Sequence, residues 1–282
     1  MNKKIASILA TGLATLGLGI LVNQNTAHAA TTTNKYAWSV GQHEEYAPTY
    51  YNKSNSNAYI WNTSFKKRIH NLKNYPNTTW YVTKSFVHNK KVYYKLSNFG
   101  GKVTGYTWSG NLSPYVSKNV NSFSSDSSYL NYLNSDKSQK LSRALLKLFP
   151  NADISLDLSK KAAASSSTSL SLNGYTKTIN LSMLSAKVID NNQISNGKPL
   201  AHIETVLQSL GGPASSAASK AKSAQNILNA NGYTSDKIAS LINQGYKLGI
   251  YISDGAAASV GSKGYPSTIK NADDRYVLVL AK

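Results

Sequence analysis

The stretch from Trp80 to Leu112 constrains this chain more than any other. It reads Trp80-Tyr81-Val82-Thr83, then Val92-Tyr93-Tyr94-Lys95-Leu96, then Gly105-Tyr106-Thr107-Trp108-Ser109-Gly110-Asn111-Leu112. The runs are β-branched and aromatic. Polar punctuation separates them, His88-Asn89-Lys90-Lys91 before the second and Gly100-Gly101 before the third. Runs of this kind fit a pleated, half-buried surface, and such punctuation fits tight turns. The pattern predicts strand, hairpin, strand. Upstream, Tyr59-Ile60-Trp61 reads as another strand, Lys66-Lys67-Arg68 as a basic cluster after it, and Asn74-Tyr75-Pro76-Asn77 as a turn. Short strands at this spacing predict a small, strongly bent β-barrel over residues 58–116. Residues 31–57, with Tyr36, Trp38, Tyr46, Tyr50 and Tyr51, read as a partly extended lead-in that packs on the barrel or merely pads it.

Charge narrows the partners. The 282 residues carry a formal net charge of +19, with only 12 acids. A chain this basic binds polyanions, whether nucleic acid, anionic lipid or an acidic wall polymer. The imbalance is concentrated. Between Glu45 and Asp126 there is no carboxylate, while Lys53, Lys66, Lys67, Arg68, Lys73, Lys84, Lys90, Lys91, Lys95, Lys102 and Lys118 all fall there. A lysine face alone means solubility. Solubility does not require that every acid be removed, so the interval reads as a polyanion-binding surface.

The N-terminus points to export. Lys3 and Lys4 precede an uncharged apolar run from Ile5 to Val22, and Ala27-His28-Ala29 follows. This is the pattern of a secretory signal peptide, residues 1–30, cut near Ala29 or Ala30. The competing reading is a membrane anchor, because the run approaches spanning length. Its Gly and Ala content and the cleavage site favour the signal peptide. Export argues against cellular nucleic acid as the partner. There are no cysteines, so an exported chain of this kind rests on core burial without disulfides. That combination fits a Gram-positive bacterium. The tail from Arg275 to Lys282 carries no sorting signal, which leaves non-covalent retention at the surface.

Residues 58–112 resemble a GW-type cell-wall module, a bacterial Src-homology-like barrel. The resemblance rests on Tyr93-Tyr94-Lys95-Leu96 and on Gly105-Tyr106-Thr107-Trp108-Ser109-Gly110-Asn111-Leu112, with Gly105-Tyr106 at the namesake Gly-Trp position. It implies attachment to teichoic acid, lipoteichoic acid or peptidoglycan, and no catalysis. The candidate ligand-binding residues are Lys66, Lys67, Arg68, Lys90, Lys91, Lys95 and Lys102, with Trp61, Trp80, Tyr106 and Trp108 as aromatic partners. Lysines would hold a flexible phosphate polymer by point charge and counterion release, as basic proteins hold nucleic acid. Any one aromatic could equally be core, because so small a fold needs large side chains to fill it. Tyr93 and Tyr94 must face opposite ways, which makes one core and one surface.

Ser117 to Ser128 is Ser- and Asn-rich and reads as a linker. Residues 129–282 then read as an α/β (α+β) domain whose helices cover a small sheet. Leu141, Ala144, Leu145 and Leu148 recur at helical spacing, Asp153–Ser165 is a helix candidate, and Ser182–Asp190 is a short helix or turn. Pro199–Leu210 forms a helix with the stripe Leu200, Ile203, Leu207 and Leu210, stopped by Gly211-Gly212-Pro213. Ser216–Ala230 is an Ala-rich helix. Thr234 or Ser235 caps the next, with Ile238, Leu241 and Ile242 as its apolar face. Leu248–Ile252 and Tyr276–Leu280 read as adjacent central strands.

Chemistry is sparse. The histidines remaining after cleavage, His43, His70, His88 and His202, are scattered, which predicts no metal site and no cofactor. Ser-x-x-Lys occurs at Ser64, Ser195, Ser219 and Ser267, as expected by chance in a chain rich in both residues. Only Ser219 with Lys222 falls on a predicted helix, and Lys-Thr-Gly and Gly-x-Ser-x-Gly are absent. Glycosidase chemistry needs paired carboxylates; Asp273-Asp274 are adjacent and tend to diverge, and Asp153 with Asp157, near Lys160 and Lys161, reads as a solvated helix start. Residues 224–252 resemble, weakly, the closing half of a CAP-superfamily domain, an α/β/α sandwich. Where that family places a His after the loop Ser, Ser235 is followed here by Asp236 and Lys237. The sequence therefore predicts a two-domain, secreted surface protein bound non-covalently to an anionic wall polymer through its basic module. The alternative is a wall-associated hydrolase of peptidoglycan or peptide, with its site in residues 129–282.

Overall fold

The computed structural model describes residues 36–39, 47–53, 57–98, 100–165, 170, 172–186, 201–209, 216–260, 266–271 and 275–282. The signal-peptide segment, Tyr46, His43, Ser195, the Pro199-Leu200 and Leu210–Pro213 helix boundaries, and Asp273-Asp274 lie outside them. The protein is α+β. By its contacts the chain divides into two compact units, Met1–Val116 with Gly255–Asn271, and Ser117–Asp254 with Ala272–Lys282.

The first unit is built on one antiparallel sheet. Its strands are β1 (Tyr36–Ser39), β2 (Thr49–Asn52), β3 (Tyr59–Trp61), β4 (Arg68–Asn71), β5 (Thr79–His88), β6 (Lys91–Ser97), β7 (Thr104–Trp108) and β8 (Leu112–Pro114). Pairing runs β4-β3-β7-β6-β5-β2-β8, with β1 also paired to β5. The path is open, with β4 and β8 at its ends. β5–β6 is the predicted hairpin, and its two-residue turn places Asn89 and Lys90 at φ +47° and +60°, the twist that joins antiparallel strands well. The lead-in contributes strands of its own. Tyr50 pairs with both Trp80 and Pro114, so β2 joins β5 to β8.

The core of this unit holds Tyr50, Ala58, Ile60, Leu72, Trp80, Val82, Val92, Tyr94, Leu96 and Leu112. Asn52 ties it together. Its side-chain amide donates to the carbonyls of Leu72 and Tyr75, both at 2.8 Å, and its Oδ1 accepts the Trp80 indole N–H at 2.7 Å. A buried indole needs such an acceptor. Gly105 lets β7 pass under β3. A Cβ there would stand 2.7 Å from the Trp61 carbonyl oxygen and 2.4 Å from Ile60 Cγ2. The hairpin of β13 (Ala256–Val260) and β14 (Pro266–Asn271) belongs to this unit.

The second unit begins sooner than a linker would allow. Ser117 and Val120 are buried, and Phe123 packs against the core. Its helices are α1 (Asp126–Ser135), α2 (Lys140–Leu146), α3 (Leu156–Ala164), α4 (Ile203–Ser209), α5 (Ala217–Ala230) and α6 (Ser235–Asn243). Side-chain oxygens of Ser125, Ser155, Ser216 and Thr234 cap α1, α3, α5 and α6, each satisfying a first-turn N–H that has no partner within the helix. Helix α4 begins only at Ile203, because Ala201-His202 forms β11 and pairs with β10 (Ser185–Ala186).

The sheet of this unit is β12 (Lys247–Ser253), β15 (Arg275–Ala281) and β9 (Thr178–Asn180), in that order. The two apolar runs are adjacent as expected, but only β15 is central. Leu248–Ser253 is buried without alternation, as for a sheet covered on both faces. Edge strand β12 is shielded: Leu248 exchanges backbone bonds with Asp153 and Ser155, and the Ser159 hydroxyl accepts Ile250 N–H at 3.1 Å. Gly249 admits helix α3, since a Cβ there would meet Leu158 Cγ at 2.7 Å.

Candidate functional site

The site is built by alternation along short strands. In β3, Ile60 points into the core, so Tyr59 and Trp61 share the outer face. In β6, Val92, Tyr94 and Leu96 are buried, which turns Lys91, Tyr93 and Lys95 outward. Register brings these strands into line. Tyr93 stands opposite Trp108, Lys95 opposite Tyr106, and Trp61 opposite Tyr106. Burial raises the Tyr93 phenol above its ordinary range, so it stays a neutral hydrogen-bonding group.

Tyr59, Trp61, Arg68, Lys91, Tyr93 and Trp108, with Asn57 and Asn111, line an open groove of about 550 Å³. Its cations sit on its rings. The Arg68 guanidinium lies 4.4 Å from the Tyr59 ring centroid and 5.2 Å from that of Trp61. The Lys91 ammonium lies 5.4 Å from Trp108. Ring quadrupoles hold cations over their faces, which fixes two otherwise flexible charges along one groove. Trp108 is 43% exposed, and its indole rests against Gly110, where a Cβ would come within 2.4 Å of the ring. Asn111 is held by Thr107 at 3.0 Å, whose hydroxyl donates to the Tyr59 carbonyl at 2.9 Å.

A loop closes over the outer face beside the groove. Phe65 has φ +58°, an uncommon conformation for a bulky residue. Its ring contacts Phe86, His88, Tyr93 and Tyr106. Asn62 Oδ1 accepts the N–H groups of Lys66 and Lys67, both at 3.1 Å. The loop thereby delivers the chain to Arg68 in a fixed direction.

The candidates separate accordingly. Trp61, Arg68, Lys91 and Trp108 meet in the groove. Lys66 and Lys67 are exposed on the adjoining loop, Lys90 at the hairpin tip, and Lys102 just after the glycine turn. Trp80 is fully buried in the core, and Tyr106 is buried against Phe65 and Phe86, so neither presents a face to a ligand. Lys95 stands opposite Lys84 on the outer face. Sequence reasoning missed Tyr59 and Tyr93 as lining residues. The i, i+2 relation of Tyr59 to Trp61 was the signal for the first. Nothing in the sequence pointed to Phe65.

In the second unit, Ser219 and Lys222 are both exposed on α5, and the Lys222 ammonium donates to Gln225 Oε1 at 3.2 Å. Between them Lys220 is buried, donates to the Leu207 carbonyl and lies 5.6 Å from the Tyr276 ring centroid. Burial lowers its pKa to about 8, against the opposing pull of Asp254. Among the described residues no three His, Asp or Glu side chains come together as a metal site, and no helix is long and apolar enough to cross a membrane. No family model matches this chain, and no curated protein or solved structure matches it significantly.

Proposed function

We propose that this chain is a secreted surface protein that holds non-covalently to an anionic cell-wall polymer through its first unit, a bent barrel of the Src-homology-like kind. In that reading the protein has two domains, and the second acts outward as a binding module. One observation carries it: Arg68 and Lys91 are fixed on aromatic rings along one open groove, inside an interval without a single carboxylate from residue 46 to 125. An anion entering the groove meets pre-positioned cations and no competing acid. Rings already covered by cations serve to hold charge, more than to stack on sugar. The sheet's short strands and its register irregularities within β1–β5, β3–β4 and β5–β6 support the bent-barrel description, because bulges bend a sheet.

The test is co-sedimentation of the exported chain with purified Gram-positive walls, before and after acid removal of their phosphate polymers. Retention on intact walls, release by salt and loss on stripped walls are expected. Equal retention on stripped walls would turn the reading toward peptidoglycan, and no retention on either would end it.

A further inference from the structure

The second unit has an open groove of its own, of about 370 Å³. Clefts of roughly 300–1,000 Å³ take small molecules, so this one suits a compact ligand. Register builds one wall. Lys247 at the start of β12 stands opposite Ala281, so Lys247 and Lys282 come to the same end of the sheet. Helix α3 supplies Asp157 and Lys161, and the turn before β9 supplies Gly174 and Tyr175. Gly174 and Gly245 stand at φ +91° and +87°, and neither puts a side chain into the space. Three lysines therefore face one carboxylate, and that carboxylate is engaged. Asp157 Oδ2 accepts from Lys161 Nζ at 2.8 Å and from the Tyr175 hydroxyl at 3.1 Å. These bonds, the lysine's above all, hold its carboxyl below the ordinary range. Lys161 is fixed further by the Asn173 carbonyl at 2.8 Å and by the Tyr175 ring, 5.2 Å from its centroid. Lys282 Nζ donates to the Gln244 carbonyl at 3.3 Å and lies 4.9 Å from the Tyr246 ring centroid, so no opposite charge cancels it there. Its main-chain oxygen already accepts from the N–H groups of Thr176 and Lys177 and from the Thr176 hydroxyl. The Lys247 side chain is exposed and has no partner among the described residues.

From this we infer that the groove binds a compact phosphate group, free or as the monoester of a small molecule, with Lys247 and Lys282 as its charge contacts. The inference rests on the reading of the second unit as a binding module, and is independent of the wall-polymer reading of the first. The lining chooses the anion. Ammonium groups act as point charges with three donors each, which suits the oxygens of a tetrahedral phosphate. Planar carboxylates favour the fork of an arginine, and none lines this groove. A phosphomonoester carries about −1.5 to −2 charges at neutral pH, which meets the two lysines that no carboxylate answers. Asp157 does not oppose it, because Lys161 and Tyr175 already hold that charge.

The test is calorimetric titration of the full chain with glycerol 3-phosphate, inorganic phosphate and succinate. Wild type is compared with Lys247→Gln/Lys282→Gln, with Lys247→Gln alone, and with Arg68→Ala/Lys91→Ala, which removes the cations of the first unit's groove. Wild type is expected to bind both phosphates and to prefer them to succinate. Tighter binding of the ester identifies a phosphorylated small molecule as the ligand, and tighter binding of inorganic phosphate identifies the free ion. Lys247→Gln/Lys282→Gln should bind the preferred phosphate at least about tenfold more weakly, since each lost contact is a charge-assisted hydrogen bond. Lys247→Gln, at an exposed position that leaves folding intact, should lose part of that affinity. Arg68→Ala/Lys91→Ala should bind as wild type does. Succinate binding as tight as phosphate, unchanged affinity in both Lys247 variants, or a loss confined to Arg68→Ala/Lys91→Ala would overturn the site. A wild-type chain that sediments with walls but binds neither phosphate would overturn this inference alone and leave the first unit's reading standing.

Discussion

The Phe65 ring lies flat on the His88 imidazole, with centroids 4.2 Å apart and planes 9° apart. That contact joins the loop after β3 to the far end of β5, across the strands between. The loop leads directly into Arg68, so stacking at one side of the face sets a charge at the other. Phe65→Ala should cost about 1–2 kcal/mol, as expected for losing several aromatic contacts, and should weaken wall binding. Phe65→Tyr, which keeps the ring, should restore both. Denaturant unfolding and wall co-sedimentation check this. A Phe65→Ala protein with full wall binding would show that Arg68 is placed without the loop.

Asn52 is the next test, because its side chain meets three polar groups at once and accepts the buried Trp80 indole N–H. Asn52→Ala removes the acceptor of the Trp80 indole and the donor to two carbonyls. Each buried group left unsatisfied costs about 1–3 kcal/mol. A loss of about 1–3 kcal/mol, the cost of the orphaned Trp80 indole, is expected in chemical unfolding of the first unit, with red-shifted Trp80 fluorescence. The same geometry predicts that a fragment of residues 58–116, which lacks β2, does not fold.

Lys90 separates charge from placement. It occupies a left-handed turn position at φ +60°, where glycine is at ease. Lys90→Gly should stabilise the hairpin by roughly 0.5–1 kcal/mol and leave binding nearly intact, because Lys90 is at the tip and outside the groove. A tenfold loss of affinity would bring the tip into the binding surface.

Much of this was legible in advance, and the limits are physical. The strands β3, β5, β6 and β7, the hairpin turn and the helices α2, α3, α5 and α6 were visible because local pattern decides them. The strand role of Thr49–Asn52 was not, since it depends on pairing with Thr79–Tyr81 and with Leu112–Pro114, contacts distant in sequence. Trp61 and Trp108 could be named but not told apart from Trp80, because only register shows which indole faces the core. The bulge at Thr83, between the pairs Val82↔Leu96 and Lys84↔Lys95, left no mark on the sequence, and it reverses the face on which Lys84 lies. Lys220 lies in the Ala-rich helix between the exposed Ser219 and Lys222 and is buried. Its burial is set by the elements packed around α5.

Lys220 also makes the second unit sensitive to pH. Its pKa falls from 10.5 to about 8 in the folded protein, chiefly through burial, and that of half-buried Lys140 falls to about 8 for the same chief reason. A lowered lysine pKa means that the unfolded chain binds more protons between the two values, so stability rises with pH across that window. The folded state is penalised fully below pH 8, and the penalty is relieved as pH rises from about 8 towards 10. For Lys220 it reaches ~3 kcal/mol at neutral pH. Unfolding of the second unit followed from pH 7 to 10 should show this rise, and Lys220→Met should remove roughly half of it. A flat profile in the wild type would contradict the buried ammonium.

The central claim is that Arg68 and Lys91, held on their rings, grip a phosphate-bearing polymer by charge. Affinity of the full chain for purified teichoic acid, measured against salt, tests it most directly. The expected log–log slope is steeply negative, about −0.7 per phosphate contacted, and Arg68→Ala/Lys91→Ala should lower the affinity at least tenfold and flatten the slope by roughly 1. Binding that ignores salt, or a double variant that binds as well as wild type, would contradict the account.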